Sequence, residues 1–254
     1  MTKRINKLVL QAIAATLIAA SFNSCSDKND DNDWATFETK NVTDVFFKPK
    51  KFFAHAYDSF HFAISCSNDL TLGEKPLPSD IEDTYPHDSR DPNLRKKFNK
   101  YAEYYGDTVS TRMHAIASQY HACVSPLLSI DITTDKKIDE KHPEGSNIND
   151  LFELRQYHSG MYEYLNNKTE EGLPVYKTTD FDTFYHDYYY IGEHNRYELN
   201  TAPFYMVSDL LYFRFKQLPD VKGEFKFTVT LKFADDPITG EKIEVDPITV
   251  EMSF

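Results

Sequence analysis

From Phe225 to Phe233 every second residue is apolar: Phe225, Phe227, Val229, Leu231 and Phe233 alternate with Lys226, Thr228, Thr230 and Lys232. Successive side chains of an extended chain point to opposite sides, so a period of two marks a strand with one dry face and one wet face. Asp235-Asp236-Pro237-Ile238-Thr239-Gly240 supplies turn chemistry, after which Ile243 and Val245, then Ile248, Val250, Met252 and Phe254, resume the alternation. The chain therefore ends in a hairpin or meander whose apolar face needs a second layer to cover it.

The same alternation, or enrichment in β-branched and aromatic residues, marks Tyr57 to Cys66, Leu128 to Thr133, Tyr185 to Ile191 and Leu210 to Phe215. One helix is signposted at both ends: Asp91 as N-cap, Pro92 at the first helical position, and Leu94, Phe98, Tyr101 and Tyr105 at helical spacing before Gly106. A shorter helix is expected near Asn149, burying Phe152. Between Arg112 and Ala122, Met113, Ile116, Ala117 and Tyr120 fit a helix, but the absence of acidic residues and the β neighbours favour a strand. No internal repeat is present. These elements predict a mainly β chain, a single antiparallel β-sandwich-like domain with one or two short helices in its connections.

At the N-terminus Lys3, Arg4 and Lys7 precede an uncharged run from Leu8 to Ala20, the layout of a secretory signal. The run is short of the roughly 20 apolar residues a bilayer span needs. Phe22-Asn23-Ser24-Cys25 then places a cysteine behind a small residue, as a lipoprotein signal peptidase requires, and resembles the relaxed cleavage motif of Bacteroidota-type lipoproteins. The competing expectation is ordinary cleavage near Ala19-Ala20-Ser21 with Cys25 left as a thiol. Lipidation at Cys25 is preferred, because an exposed lone cysteine is a liability in an oxidising compartment. Ser26 to Asp33 is hydrophilic and acidic and reads as a tether that cannot pack. The expected organisation is a signal peptide at 1–24, a lipidated acidic tether at 25–35 and one β-rich domain at 36–254.

Ser129-Ile130-Asp131-Ile132-Thr133-Thr134-Asp135, continued by His142-Pro143-Glu144-Gly145-Ser146 and Asn149-Asp150-Leu151-Phe152, resembles a motif of uncharacterised Bacteroidota surface lipoproteins, a domain family of unknown function. The acidic run after Cys25 is similar to the export signal of that group. The resemblance implies an outer-membrane, lipid-anchored protein facing the cell exterior, and it implies no activity. Asp107-Thr108-Val109 likewise resembles the O-glycosylation acceptor of secreted proteins in this group, with Thr108 as the acceptor.

Removing residues 1–24 takes away three positive charges, so the formal net charge of −12 becomes −15. An acidic chain with no basic stripe is a poor partner for nucleic acid or anionic headgroups, leaving the membrane contact to the N-terminal lipid. Eight glycines and no phosphate-loop pattern set nucleotide enzymes aside. HExxH, GxSxG, EF-hand and CxxC patterns are missing too, so no cofactor or metal is expected and the chain does not read as an enzyme. His114 and His121, seven residues apart, fit ordinary contacts. Cys66 and Cys123 either form a disulfide or remain buried as small hydrophobes.

The densest chemistry lies in Phe181-Asp182-Thr183-Phe184-Tyr185-His186-Asp187-Tyr188-Tyr189-Tyr190. Flat rings suit the apolar faces of sugars and carboxylates suit their hydroxyls, so Tyr185, Asp187, Tyr188 and Tyr189 are candidate ligand-binding residues. On a strand, Tyr185, Asp187 and Tyr189 share one face and Tyr188 lies on the other. The alternative is that half of these rings are core. A glycan-binding or other ligand-binding surface lipoprotein is the leading expectation. An assembly subunit exchanging its terminal strand Ile248 to Phe254 comes second. A glycoside hydrolase using Asp182 and Asp187 ranks last, because it needs two carboxylates at a defined separation.

Overall fold

A computed structural model of the chain describes residues 36–39, 41–66, 81–86, 88–108, 111–114, 121–156, 160–179 and 197–254. All belong to one unit, Thr36–Phe254. Its strands are β1 (Thr36–Thr39), β2 (Val45–Pro49), β3 (Phe53–Ala56), β4 (His61–Ser65), β5 (Ile81–Pro86), β6 (Thr111–His114), β7 (His121–Cys123), β8 (Leu127–Thr134), β9 (Phe152–Gln156), β10 (Tyr197–Glu198), β11 (Leu210–Phe215), β12 (Glu224–Phe233) and β13 (Ile248–Ser253). Three helices accompany them among the described residues: α1 (Pro92–Tyr105), α2 (Gly160–Asn166) and α3 (Val175–Thr178). The fold is mainly β and sandwich-like.

A five-stranded antiparallel sheet in the order β10-β9-β11-β4-β3 faces a three-stranded antiparallel sheet in the order β13-β12-β8. The alternation along β11 buries Leu211, Phe213 and Phe215, and that along β12 buries Phe225, Phe227, Val229, Leu231 and Phe233. Their rings meet between the sheets. Phe152 and Phe215 lie 4.0 Å apart between centroids, each lies 5.9 Å from Phe227, and Phe62 stacks on its cross-strand partner Phe213 at 4.7 Å. Aromatic pairs of this kind add about 0.5–1.5 kcal/mol each beyond the area they bury.

Two further sheets complete the unit. β1 pairs with β6, and β2 lies between an antiparallel β5 and a parallel β7. The sheets thus number four among the described residues, and one pair is parallel, where two antiparallel sheets were expected. β2 is central and buried on both faces: Phe46 packs against Phe98, Tyr101 and Tyr105 of α1.

Helix α1 follows its sequence signals. Asp91 Oδ1 accepts from the Asn93 amide at 2.8 Å, Pro92 opens the helix, and Gly106 closes it in the left-handed region at φ 76°. The helix expected near Asn149 is a single 3-10 turn, Asn149–Leu151, and Phe152 is buried on β9 instead. Asn149 cannot extend a helix there, because its side chain is bonded to the backbone of β8. The strand expected from Tyr57 begins only at His61, since Asp58 Oδ1 accepts from the Phe60 and His61 amides and turns the chain. Ile243 and Val245 fall in the non-strand connection between β12 and β13. Arg112 to Ala122 has strand at both ends, in β6 and β7, with 115–120 outside the described residues. The strand expected at Tyr185 to Ile191 lies outside them as well.

Candidate functional site

A partly exposed group of aromatic side chains and one carboxylate joins α1, α2 and the segment between Thr201 and Leu210. In α1, Tyr101 and Tyr105 face the core, which turns Tyr104 outward at 51 % exposure. In α2, Met161, Tyr164 and Leu165 are buried and Tyr162 is half-buried. Asn166 ties the two helices together, its Nδ2 donating to the carbonyls of Tyr105 and Tyr162, each at 3.0 Å. A side chain at Gly106 would crowd Asn166, whose Oδ1 lies 3.3 Å from where a Cβ would stand.

Tyr205 is held from both sides. Phe204 and Leu127 exchange two backbone hydrogen bonds of 2.9 Å, and the Cys123 amide donates to the Val207 carbonyl at 2.7 Å. Between them Met206 takes φ 52°, an uncommon conformation for a residue with a side chain, while its own side chain is fully buried. Burial of Met206 and the left-handed turn send Tyr205 out onto Tyr162. The two rings stack with centroids 4.4 Å apart and planes 17° from parallel.

The electrostatics are those of crowded phenols beside a carboxylate. Burial, then the Tyr205 and Tyr104 hydroxyls and the Glu163 carboxylate, raise the Tyr162 pKa above its usual value. Burial also raises Glu163, and its Oε2 is buried with no hydrogen-bond partner. Three tyrosines and one carboxylate thus stand together at the junction of α1, α2 and the Thr201–Leu210 segment.

A second aromatic group, Tyr57, His61 and Tyr212, lies on the outer face of the five-stranded sheet, with both ring pairs at 5.6 Å and tilted. Its rings present no common plane, which makes it the poorer platform. Among the described residues no group of three or more His, Cys, Asp or Glu side chains is placed to hold a metal ion.

Of the residues expected from sequence, Cys25, Asp182, Tyr185, Asp187, Tyr188 and Tyr189 lie outside the described residues. Thr108 is exposed just beyond the α1 cap. Its neighbour Asp107 is fully buried, accepting from the Val42 amide at 2.7 Å and the Thr43 amide at 2.9 Å. Cys66 and Cys123 are buried thiols with no disulfide between them. Their backbones are fastened to different points, Cys66 to Asp209 and Cys123 to Val207, and burial pushes the Cys123 thiol up to about 12. His121 Nδ1 lies 3.1 Å from Asp209 Oδ2. The terminal strand β13 pairs with β12 and buries Ile248, Val250 and Met252.

Tyr104, Tyr162, Glu163 and Tyr205 carried no signal in the sequence. They come from three distant segments of a chain with 17 tyrosines, and nothing local distinguishes them from the rest. No protein family matches this chain, and neither a curated protein nor a solved structure is significantly similar to it.

Proposed function

We propose that this chain is an exported lipoprotein, cleaved before Cys25, anchored through lipid on that cysteine in the outer membrane and facing the cell exterior, whose β-rich domain binds a glycan on Tyr104, Tyr162 and Tyr205. The observation that carries the binding reading is the Tyr162–Tyr205 stack. It is a pair of half-exposed rings on a backbone pinned at Leu127, Cys123 and Tyr105. A pyranose presents an apolar face that stacks on such rings, and its hydroxyls bond to neighbouring phenols and carboxylates. Fixing the rings in advance lowers the ordering cost of binding. Export is supported by Lys3, Arg4, Lys7, the Leu8 to Ala20 run and the cysteine behind Ser24.

A glycan array probed with soluble Ser26 to Phe254 tests the binding half. Tyr205→Ala is expected to weaken any hit by about two- to tenfold, the order of one lost stacking interaction, with an unchanged circular dichroism spectrum. Tyr57→Ala, on the other aromatic group, is expected to leave it alone. No binding by the parent, or equal loss in both variants, rejects the assignment. Incorporation of labelled palmitate into the full chain, abolished by Cys25→Ser, tests the anchor.

A further inference from the structure

His142 is nearly enclosed, its side chain 7 % exposed, and both of its ring nitrogens face carboxylates. Nδ1 lies 2.8 Å from Asp139 Oδ1, three residues back in the same loop, and Nε2 lies 3.0 and 3.2 Å from the two oxygens of Asp150 in the 3-10 turn. A carboxylate only accepts, and a neutral imidazole donates from one nitrogen only. Both contacts are hydrogen bonds when the ring carries two protons; with one proton, one contact sets lone pair against lone pair.

The bridge closes a loop that covers a sheet edge. β8 is the outer strand of the three-stranded sheet, and the chain from Gly145 to Asn149 lies along its free side. The Gly145 amide donates to the Thr134 carbonyl at 2.8 Å and the Ile148 amide to the Ile132 carbonyl at 2.9 Å. Asn149 then acts as one more residue of a neighbouring strand, its Oδ1 accepting from the Ile132 amide at 2.9 Å and its Nδ2 donating to the Ile130 carbonyl at 2.6 Å. An uncovered strand edge is a template for pairing with another extended chain.

We propose that the Asp139–His142–Asp150 bridge is a proton-operated clasp that holds the 145–149 segment over the edge of β8. The charges that act on the ring are Asp139 from its own turn and Asp150 from the 3-10 turn. Lys141 and Glu144 of the loop are exposed, Lys137 is paired with Glu140, and Asp131 of β8 is bonded to Asn147 Nδ2. Burial works against the charged ring, and the hydrogen bonds and charges of Asp139 and Asp150 outweigh it, so the His142 pKa stands above its ordinary value. Asp139 is in turn held below the usual carboxylate range by its hydrogen bond from His142. The clasp is therefore shut between the depressed Asp139 pKa and the raised His142 pKa. It opens as pH rises through the raised His142 pKa, and also as pH falls through the depressed Asp139 pKa.

Nitrogen-detected NMR of His142, followed together with amide exchange in soluble Ser26 to Phe254, tests this from pH 6 upward. At pH 6 both ring nitrogens are expected to be protonated. As the ring titrates, the protection factors of Gly145, Ile132 and Ile148, corrected for the intrinsic pH dependence of exchange, are expected to fall together, while those of Phe227 and Val250 hold. Asp150→Asn, which removes one acceptor charge but keeps the side chain's shape, is expected to lower the pH at which the edge opens. A ring with one unprotonated nitrogen at pH 6, or protection of Gly145, Ile132 and Ile148 that ignores the His142 titration, overturns the proposal.

Discussion

The Tyr101 hydroxyl donates a 2.7 Å hydrogen bond to Asp236 Oδ2, joining the buried face of α1 to the turn that leaves β12. Asp236 Oδ1 accepts meanwhile from the Ile238 and Thr239 amides, and Lys48 of β2, itself buried, reaches Glu241 at the other end of the same turn at 3.0 Å. One carboxylate therefore shapes the turn locally and docks it on a helix from another part of the chain. Tyr101→Phe leaves a buried carboxylate oxygen without that donor and is expected to cost about 1–3 kcal/mol in urea unfolding. Asp236→Ala removes the turn contacts as well and is expected to cost more. A Tyr101→Phe protein as stable as the parent would show that the bond adds nothing to the fold.

Asn149 replaces a strand with a side chain. Asn149→Ala leaves the Ile132 amide and the Ile130 carbonyl without their partner, at about 1–3 kcal/mol for each group that stays dry. Asn149→Asp keeps the acceptor but sets an oxygen against the Ile130 carbonyl, so it is expected to be at least as destabilising as the alanine. Thermal unfolding of the two variants beside the parent checks the order.

Asp107 is buried with two backbone amides pointing at its oxygens, yet burial outweighs them and its pKa is raised to about 6. Folding then favours the protonated form. The contribution of this group to stability is whole below about pH 4 and is lost as pH rises through about 6, a span of about 3 kcal/mol. A carbon-detected NMR titration is expected to place the Asp107 carboxyl midpoint near 6. A midpoint below 4 would mean that the amides dominate.

The thiols give a simpler reading. Soluble Ser26 to Phe254 contains only Cys66 and Cys123, both buried. Without reductant, a thiol reagent at neutral pH is expected to label neither while the protein is folded and both in denaturant. Two silent cysteines in denaturant would reveal a disulfide.

Much of the secondary structure was legible because its causes are local. The alternation of β12 and β13 follows from side chains pointing to opposite faces, and α1 from the Asp91 cap, the proline at its first turn and the left-handed glycine behind it. These signals act over a few residues, so the sequence alone marked β8, β11, β12, β13 and α1 and showed which faces of β11, β12 and β13 are buried. The basic Lys3, Arg4 and Lys7 and the uncharged run from Leu8 to Ala20 are likewise read directly from the sequence.

Tertiary structure decided what those elements meet. The motif from Ser129 to Phe152 looked like a strand, a loop and a helix, and the helix shrank to a 3-10 turn because Asn149 found the β8 backbone and Phe152 found the ring cluster between the sheets. Asp107 looked like the first residue of a surface tripeptide and is instead buried against Val42 and Thr43, while Thr108 beside it is exposed. The tyrosine face needs Tyr104, Tyr162 and Tyr205 to converge from three segments, and the turn that aims Tyr205 depends on burying Met206. Local propensity acts over neighbouring residues, whereas hydrogen bonding and burial act through space; for the platform and the clasp, contacts between distant segments supply the geometry.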